Sequence, residues 1–450
     1  MILTFVPLLV CGRGHCEVRE NPANKVGIWV GGGPAPGIDG AIRATALQAL
    51  NSGHEVVGIP NGLENLVNGK ISLCRQLLAQ DVADIHLYGG SILGTSRANL
   101  LQKDVESDKM IPSQGKIDNV IIALSKLGIS ILISIGGDDT ALSQKLIADA
   151  AKQKGLNIIC VHIPKTIDND LPLEQNTPTF GFQTAVDFAY EICKNYRKDA
   201  QTTGRWFFVT VMGRTAGHLA LALGSALGAE ITLIPEEFKG KTIKLGHIYD
   251  ILTTSIIKAM AQGQNYGIAV IAEGIAALID DAQWETLANE GVKVEHDDAG
   301  HLRIAEIPLA SILSRHVVKQ LSEMGIKLTI TPESVGYTLR TQDPNAFDSR
   351  YVSILGNAAM SFALFKESGL VYYRFSDDSI RLIPFDQIFD KTTGRTAVRL
   401  VNTNGASYII AQETMTRIRF NENQESVAAM AREAKMTSTE FAGRFGYLIQ

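Results

Sequence analysis

The sequence predicts an α/β protein whose strands run mainly parallel, in two successive sets of strand–helix units. Two observations carry this. Short β-branched runs alternate with longer amphipathic stretches, which is the pattern of βαβ units. Several of those runs end directly in a glycine-bearing turn that opens a helix, the layout of ligand sites at strand ends in open α/β sheets. With 450 residues, 45% of them hydrophobic, the chain can bury two or three separate cores.

In order, Lys25–Val30 reads as a strand, then a glycine-rich turn, then a helix from about Asp39 to Ser52. His54–Ile59 is the next strand. Ile129–Ile135 is strongly β-branched and runs into Gly136-Gly137-Asp138-Asp139-Thr140, a helix over Ala141–Lys152 and a strand over Leu156–Ile163. The second set starts after Thr177-Pro178-Thr179 with a helix over Gln183–Tyr196. Strands follow at Trp206–Val211, Ile231–Ile234, Gly267–Ala272 and Lys327–Ile330. Asp280–His301 reads as a polar surface excursion turning at Asp297-Asp298-Ala299-Gly300. Beyond Arg340 the periodicity weakens, and Ser426–Tyr447 reads as a helical tail.

A net charge of −5 gives no reason to expect a nucleic-acid partner, so an anionic substrate must be met by local cations. Five scattered cysteines (Cys11, Cys16, Cys74, Cys160, Cys193) suit free thiols in the cytoplasm better than a disulfide framework. Cys11, His15 and Cys16 do not complete a tetrahedral metal site. The apolar start, Met1 to Val10, has no cationic flank and is too short to span a bilayer; it reads as a tail, and no membrane partner is expected.

Four segments carry chemistry. Gly31–Gly37 is either a tight turn or a phosphate cradle; it matches neither the Walker A pattern nor G-x-G-x-x-G. At Gly136–Thr140 two carboxylates stand where phosphate oxygens would come, either as a helix N-cap or as a magnesium site. Pro164-Lys165-Thr166-Ile167-Asp168-Asn169-Asp170 offers a compact cation and two aspartates alternating in an extended stretch, one of them a possible general base. Met212–His218 places Arg214 at a helix start, suited to an anion, with His218 packed in that helix. Arg205 lies at the far end of the same strand, so it serves either a neighbouring subunit or the solvent.

These segments, in this order, resemble the phosphofructokinase family from about Lys25 to Thr416, with Gly89–Arg97, Ala272-Glu273-Gly274 and Gly336–Arg340 as further matching motifs. The resemblance implies two Rossmann-like, three-layer αβα domains with the active site in the cleft between them. It implies a tail over residues 1–23 and a donor domain over 24–176 with about 338–416. A sugar-phosphate domain covers 177–337 with about 417–450, including the helical tail. The implied reaction is transfer of a phosphoryl group to the 1-hydroxyl of fructose 6-phosphate. Asp168 is the implied base, supported by Asp170, with Asp138 on Mg2+ and Lys165, Thr166 and Arg214 on the moving phosphoryl group. Gly33, Arg97, Gly137, Asp139 and Lys165 face the donor. Met212, Gly213, Arg214 and Glu273 hold the sugar with Thr166 and Asp168, and Tyr337, Arg340 and a second subunit's Arg205 grip its 6-phosphate. A homodimer or homotetramer is implied.

Asp139 points to inorganic pyrophosphate as donor, because relatives that use ATP usually carry glycine there, leaving room for the α-phosphate. Lys165 points the same way less strongly. The alternatives are an ATP-dependent 6-phosphofructokinase and a non-catalytic regulatory subunit, which predicts losses at Asp138, Asp168 or Asp170. A dinucleotide-dependent dehydrogenase lacks its glycine fingerprint.

Overall fold

The computed structural model describes residues 25–104, 110–174, 177–238, 240–295, 302–389, 396–419 and 421–449. The tail with Cys11, His15 and Cys16, and the turn at residues 297–300, lie outside the described residues. The chain forms two compact units. One comprises the chain up to Ile167, Leu171–Ala185 and Arg340–Arg399; the other comprises Asp168–Asp170, Val186–Leu339 and Leu400–Gln450.

The first unit is built on a seven-stranded sheet. Its strands run in the order Ser379–Ile383, Gly369–Arg374, Ile159–Pro164, Ile129–Gly136, Lys25–Val30, Glu55–Ile59 and Arg75–Leu77. The inner strands are parallel, and an antiparallel strand closes each edge. Ile131, Ile133 and Ile135 pack on one face with the helices Ile38–Asn51 and Ala346–Leu364. Trp29, Leu132 and Cys160 pack on the other with Gln114–Leu127 and Asp138–Gln153. Burial on both faces is why these strands read as continuous apolar runs.

The second unit holds a four-stranded parallel sheet ordered Ile330–Val335, Trp206–Val211, Gly267–Ala272 and Ile231–Leu233. Helices Leu245–Ala261 and Leu309–Glu323 cover it. The helical tail resolves into Gln424–Glu433 and Ser438–Phe445, whose Met430, Phe441 and Phe445 are fully buried in the same core. A buried ion pair between Lys258 and Glu422 ties the tail's approach to Leu245–Ala261.

Several expectations are corrected. The strand expected at Lys327–Ile330 is Ile330–Val335, and the one expected at Leu156–Ile163 is Ile159–Pro164. Pro332 disguises the former; a proline fits there because the strand is at the sheet's edge. The region after Arg340, expected to be weakly periodic, contains Ala346–Leu364 and the hairpin Gly369–Arg374/Ser379–Ile383. Ala346–Leu364 is buried over much of its circumference, so it shows no clear amphipathic stripe. Within the polar excursion, Asp280 caps the helix Asp281–Asn289, which buries Trp284 and Leu287.

Candidate active site

In the first unit two glycine-bearing turns meet around Thr140. A Cβ added to Gly31 or to Gly136 would collide with the Thr140 side chain, so glycine at both positions is what allows the approach. The Gly31–Gly37 turn is tied to the Gly89–Arg97 segment by Gly32 N–H to Ser96 O at 2.9 Å and Thr95 Oγ1 to Gly32 O at 2.6 Å. Beside it, Asp39 accepts from Ile92 N–H at 2.8 Å. Burial pushes its carboxyl up to about 6, and that hydrogen bond opposes the shift.

Two cations gather on this turn. Lys165, 4% exposed, donates from Nζ to Gly33 O. The Arg340 guanidinium carbon lies 3.5 Å from where a Gly33 Cβ would stand. The structure therefore brings Gly33, Lys165 and Arg340 together. Arg97 is exposed in the adjoining segment. Below Lys165, His162 is fully buried, with Nδ1 2.8 Å from Ser134 Oγ. Burial, then the Lys165 ammonium, push the imidazole down to about 3, so it stays neutral near pH 7.

Gly137 is the N-cap of the helix Asp138–Gln153, so neither aspartate is the cap. Asp138 and Asp139 both occupy the first turn, where the helix dipole favours negative charge. Asp138 is half-buried and Asp139 exposed. Among the described residues, no group of three or more His, Cys, Asp or Glu side chains is arranged to hold a metal.

Lys165 continues the sheet, its N–H donating to Gly136 O at 2.8 Å. The chain then bends. Asn169 adopts φ 58°, so Asp168 and Asp170 do not alternate along an extended stretch as expected. Both are half-buried, as is Thr166. Asparagine is among the residues other than glycine that tolerate the left-handed region best, so the bend costs little there.

In the second unit Glu273, 7% exposed, organises the turn after the strand Trp206–Val211. Its Oε1 accepts from Gly213 N–H at 3.3 Å and Arg214 N–H at 3.0 Å. Gly213 has φ 155°, and a Cβ there would strike Ala216 O. Arg214 has φ 48° and is exposed. It is not at a helix start, as expected; the helix begins at His218, because the chain first closes a turn through Ala216 N–H to Gly213 O at 2.8 Å. His218 is half-buried at that start. Glu236 accepts from Gly217 N–H at 2.9 Å and steadies the same turn. Met212 is buried beneath it, against Gly336. Tyr337 is exposed and donates to Glu306 at 2.7 Å. Arg205 is not brought to this group. It precedes the six-residue strand Trp206–Val211, whose span of about 20 Å separates it from Arg214. Its Nε is buried and has no hydrogen-bond partner among the described residues.

The first unit thus offers glycine turns carrying cations and a paired carboxylate at a helix start. The second offers a glutamate-braced arginine turn. The phosphofructokinase family profile matches residues 25–363. The chain belongs to the phosphofructokinase family. It is 43% identical over 428 residues to pyrophosphate--fructose 6-phosphate 1-phosphotransferase of Thermotoga maritima, covering 94% of this chain and 98% of that one. It is 36% identical to the protein of the same name from Naegleria fowleri, covering 94% and 96%. An ATP-dependent 6-phosphofructokinase of Spirochaeta thermophila is 29% identical, covering 83% and 93%. Among solved structures, the pyrophosphate-dependent phosphofructokinase of Marinobacter aquaeolei shares the fold with a TM-score of 0.63 at 16% identity, covering 91% of each chain.

In this phosphofructokinase, the parts that sequence reasoning missed are the braces Asp39 and Glu236. Each acts on backbone far along the chain or across a turn, and neither stands in a run that announces a site. Thr95, inside the Gly89–Arg97 motif, braces Gly32 in the same way. Asp39, directly after Pro36-Gly37-Ile38, was legible only as a first-turn acid. No described helix is long and apolar enough to cross a membrane.

Proposed function

We propose that this chain is a pyrophosphate-dependent 6-phosphofructokinase, producing fructose 1,6-bisphosphate and phosphate reversibly in glycolysis or gluconeogenesis. The observation that carries the donor choice is Asp139: its carboxylate is exposed on the first turn after Gly136-Gly137, and it is not the cap. An anion there opposes a donor that must continue into further phosphates. The names of the Thermotoga and Naegleria relatives support the same donor.

In this reading Asp168 takes the proton of the sugar 1-hydroxyl, whose oxygen attacks the nearer phosphorus. The bridging P–O bond breaks, and its electron pair leaves with inorganic phosphate. Asp170 supports Asp168. Thr166, Lys165 and Arg214 steady the charge on the moving group, and positioning and electrostatics provide most of the catalysis. Asp138 fits a divalent cation, Mg2+ by preference, because one half-buried carboxylate with substrate oxygens and water satisfies that ion without a dedicated cage. Bound there, it would neutralise pyrophosphate oxygens. Gly33, Arg97 and Gly137 bind the donor in the first unit. Met212, Gly213, Glu273 and Tyr337 bind the sugar phosphate in the second, with Arg340, which stands beside Gly33 in the first unit, and a partner's Arg205 assigned to its 6-phosphate, which makes the active form a homodimer or homotetramer. The free thiols Cys74, Cys160 and Cys193 support a cytoplasmic setting.

The test is turnover of fructose 6-phosphate with pyrophosphate against ATP, both with magnesium. A parent that prefers ATP overturns the donor assignment, and one inactive with either overturns the enzyme reading.

A further inference from the structure

The chain that bears Lys165 and Thr166 is held from behind by a carboxylate outside every motif described above. Asp348, in the helix Ala346–Leu364, is fully buried. Its Oδ1 accepts from Gly181 N–H at 2.9 Å. Its Oδ2 accepts from Thr184 N–H at 2.8 Å and from Thr184 Oγ1 at 2.6 Å. Thr184 Oγ1 in turn accepts from Asn345 N–H at 3.0 Å. Asp348 is not needed as its own helix's cap, because Asn345 does that, accepting from Asp348 N–H at 2.8 Å. The carboxylate instead grips the start of the helix Phe182–Thr203, more than 160 residues away in the chain.

The gripped segment is paired with the reacting one. Phe180 bridges to Lys165, and Thr179 Oγ1 donates to Thr166 O at 2.7 Å. Thr179 and Phe180 are both fully buried. Tyr351, one turn along from Asp348, donates from its hydroxyl to Pro178 O at 2.9 Å and fixes the same segment from the side. On its other edge Lys165 is anchored to Gly136. Losing any of these bonds weakens a largely buried polar network, where hydrogen bonds are stronger than in water, so the linkage has one strongly preferred arrangement.

We propose that Asp348 is a positioning residue, which through Gly181, Thr184 and Thr179 sets the backbone of Lys165–Thr166 in the geometry that phosphoryl transfer requires. It touches no substrate. This rests on the phosphoryl-transfer reading above, though not on the choice of donor. A displacement of about 1 Å at reacting groups costs on the order of 100-fold in rate, which is why such a brace bears on turnover as well as on stability.

The test uses Asp348→Asn and Thr179→Val in the full-length protein. Whichever way the substituted amide turns, one of the two acceptor oxygens is replaced by a donor facing N–H groups. Thr179→Val keeps the volume and removes the hydroxyl bond to Thr166. The expected result is kcat lower by about 10- to 100-fold, with both KM values within about threefold. Amide hydrogen exchange across residues 164–170 should quicken by about tenfold or more. A lower unfolding temperature with unchanged kcat and unchanged exchange in that segment would show an ordinary core residue and overturn the proposal. If Asp348→Asn does not fold, Thr179→Val decides. If the parent turns over neither pyrophosphate nor ATP, the function reading has failed, and the exchange measurement alone decides whether the brace exists.

Discussion

Replacing Asp139 by glycine tests the donor assignment at its centre. The carboxylate sits in the first turn of Asp138–Gln153, exposed to water. Two unit charges about 4 Å apart repel by about 1 kcal/mol in bulk water and about 4 kcal/mol at the effective dielectric of a protein surface. Exposure puts Asp139 toward the lower end, so about 1–2 kcal/mol of repulsion against an α-phosphate is removed. That is about a 5- to 30-fold gain in kcat/KM for ATP. The same change removes an acid from the helix's first turn and adds a glycine, costing about 1 kcal/mol of stability. The stability loss acts equally on both donors and leaves their ratio alone. The assay is therefore the ratio of kcat/KM for pyrophosphate to that for ATP, in parent and variant, with saturating fructose 6-phosphate. The ratio should fall by at least about fivefold. An unchanged ratio, with the expected small drop in melting temperature, would mean that Asp139 serves only the helix and would refute the reasoning.

Three further outcomes are expected. Asp168→Asn should retain binding of both substrates and lose about 10²- to 10⁴-fold in kcat, and a variant within a few-fold of the parent would remove Asp168 as the base. Arg205→Ala should raise KM for fructose 6-phosphate by about tenfold or more. Mixing it with Asp168→Asn chains should restore part of the activity if Arg205 serves a partner's site, whereas a fully active monomer in sedimentation would rule that out. Asp39, raised from 3.8 to about 6, holds its proton in the folded state where the unfolded chain has released it. Its contribution is therefore fully present below about pH 4 and is lost as pH rises through about 6, a difference on the order of 3 kcal/mol. Asp39→Asn keeps an oxygen for Ile92 N–H and should be stabilised relative to the parent at pH 8 but not at pH 4; equal shifts at both values, by thermal unfolding, would contradict the buried-carboxyl account.

Much of the fold was legible because its signals are local. Trp206–Val211 and Gly267–Ala272 form strands with the expected ends, since a fully buried strand writes itself as an unbroken apolar run. The segments rich in Gly, Lys, Asp and Arg do follow strands, as expected, because glycine-bearing turns at strand ends are also local signals. Where Asp168, Asp170 and Arg214 point was not legible. Asn169 and Arg214 take left-handed conformations; asparagine tolerates that region, but nothing in Arg214 advertises it, and there the turn holds because Glu273, 59 residues away, accepts its amide. The helix Ala346–Leu364 escaped for the opposite reason: buried on most sides, it lost the stripe that periodicity detects. Strand and turn chemistry are properties of neighbours along the chain, so a linear reading reaches them. The braces at Asp39, Glu236 and Asp348 join residues remote in sequence, and only packing gives a buried carboxylate its donors.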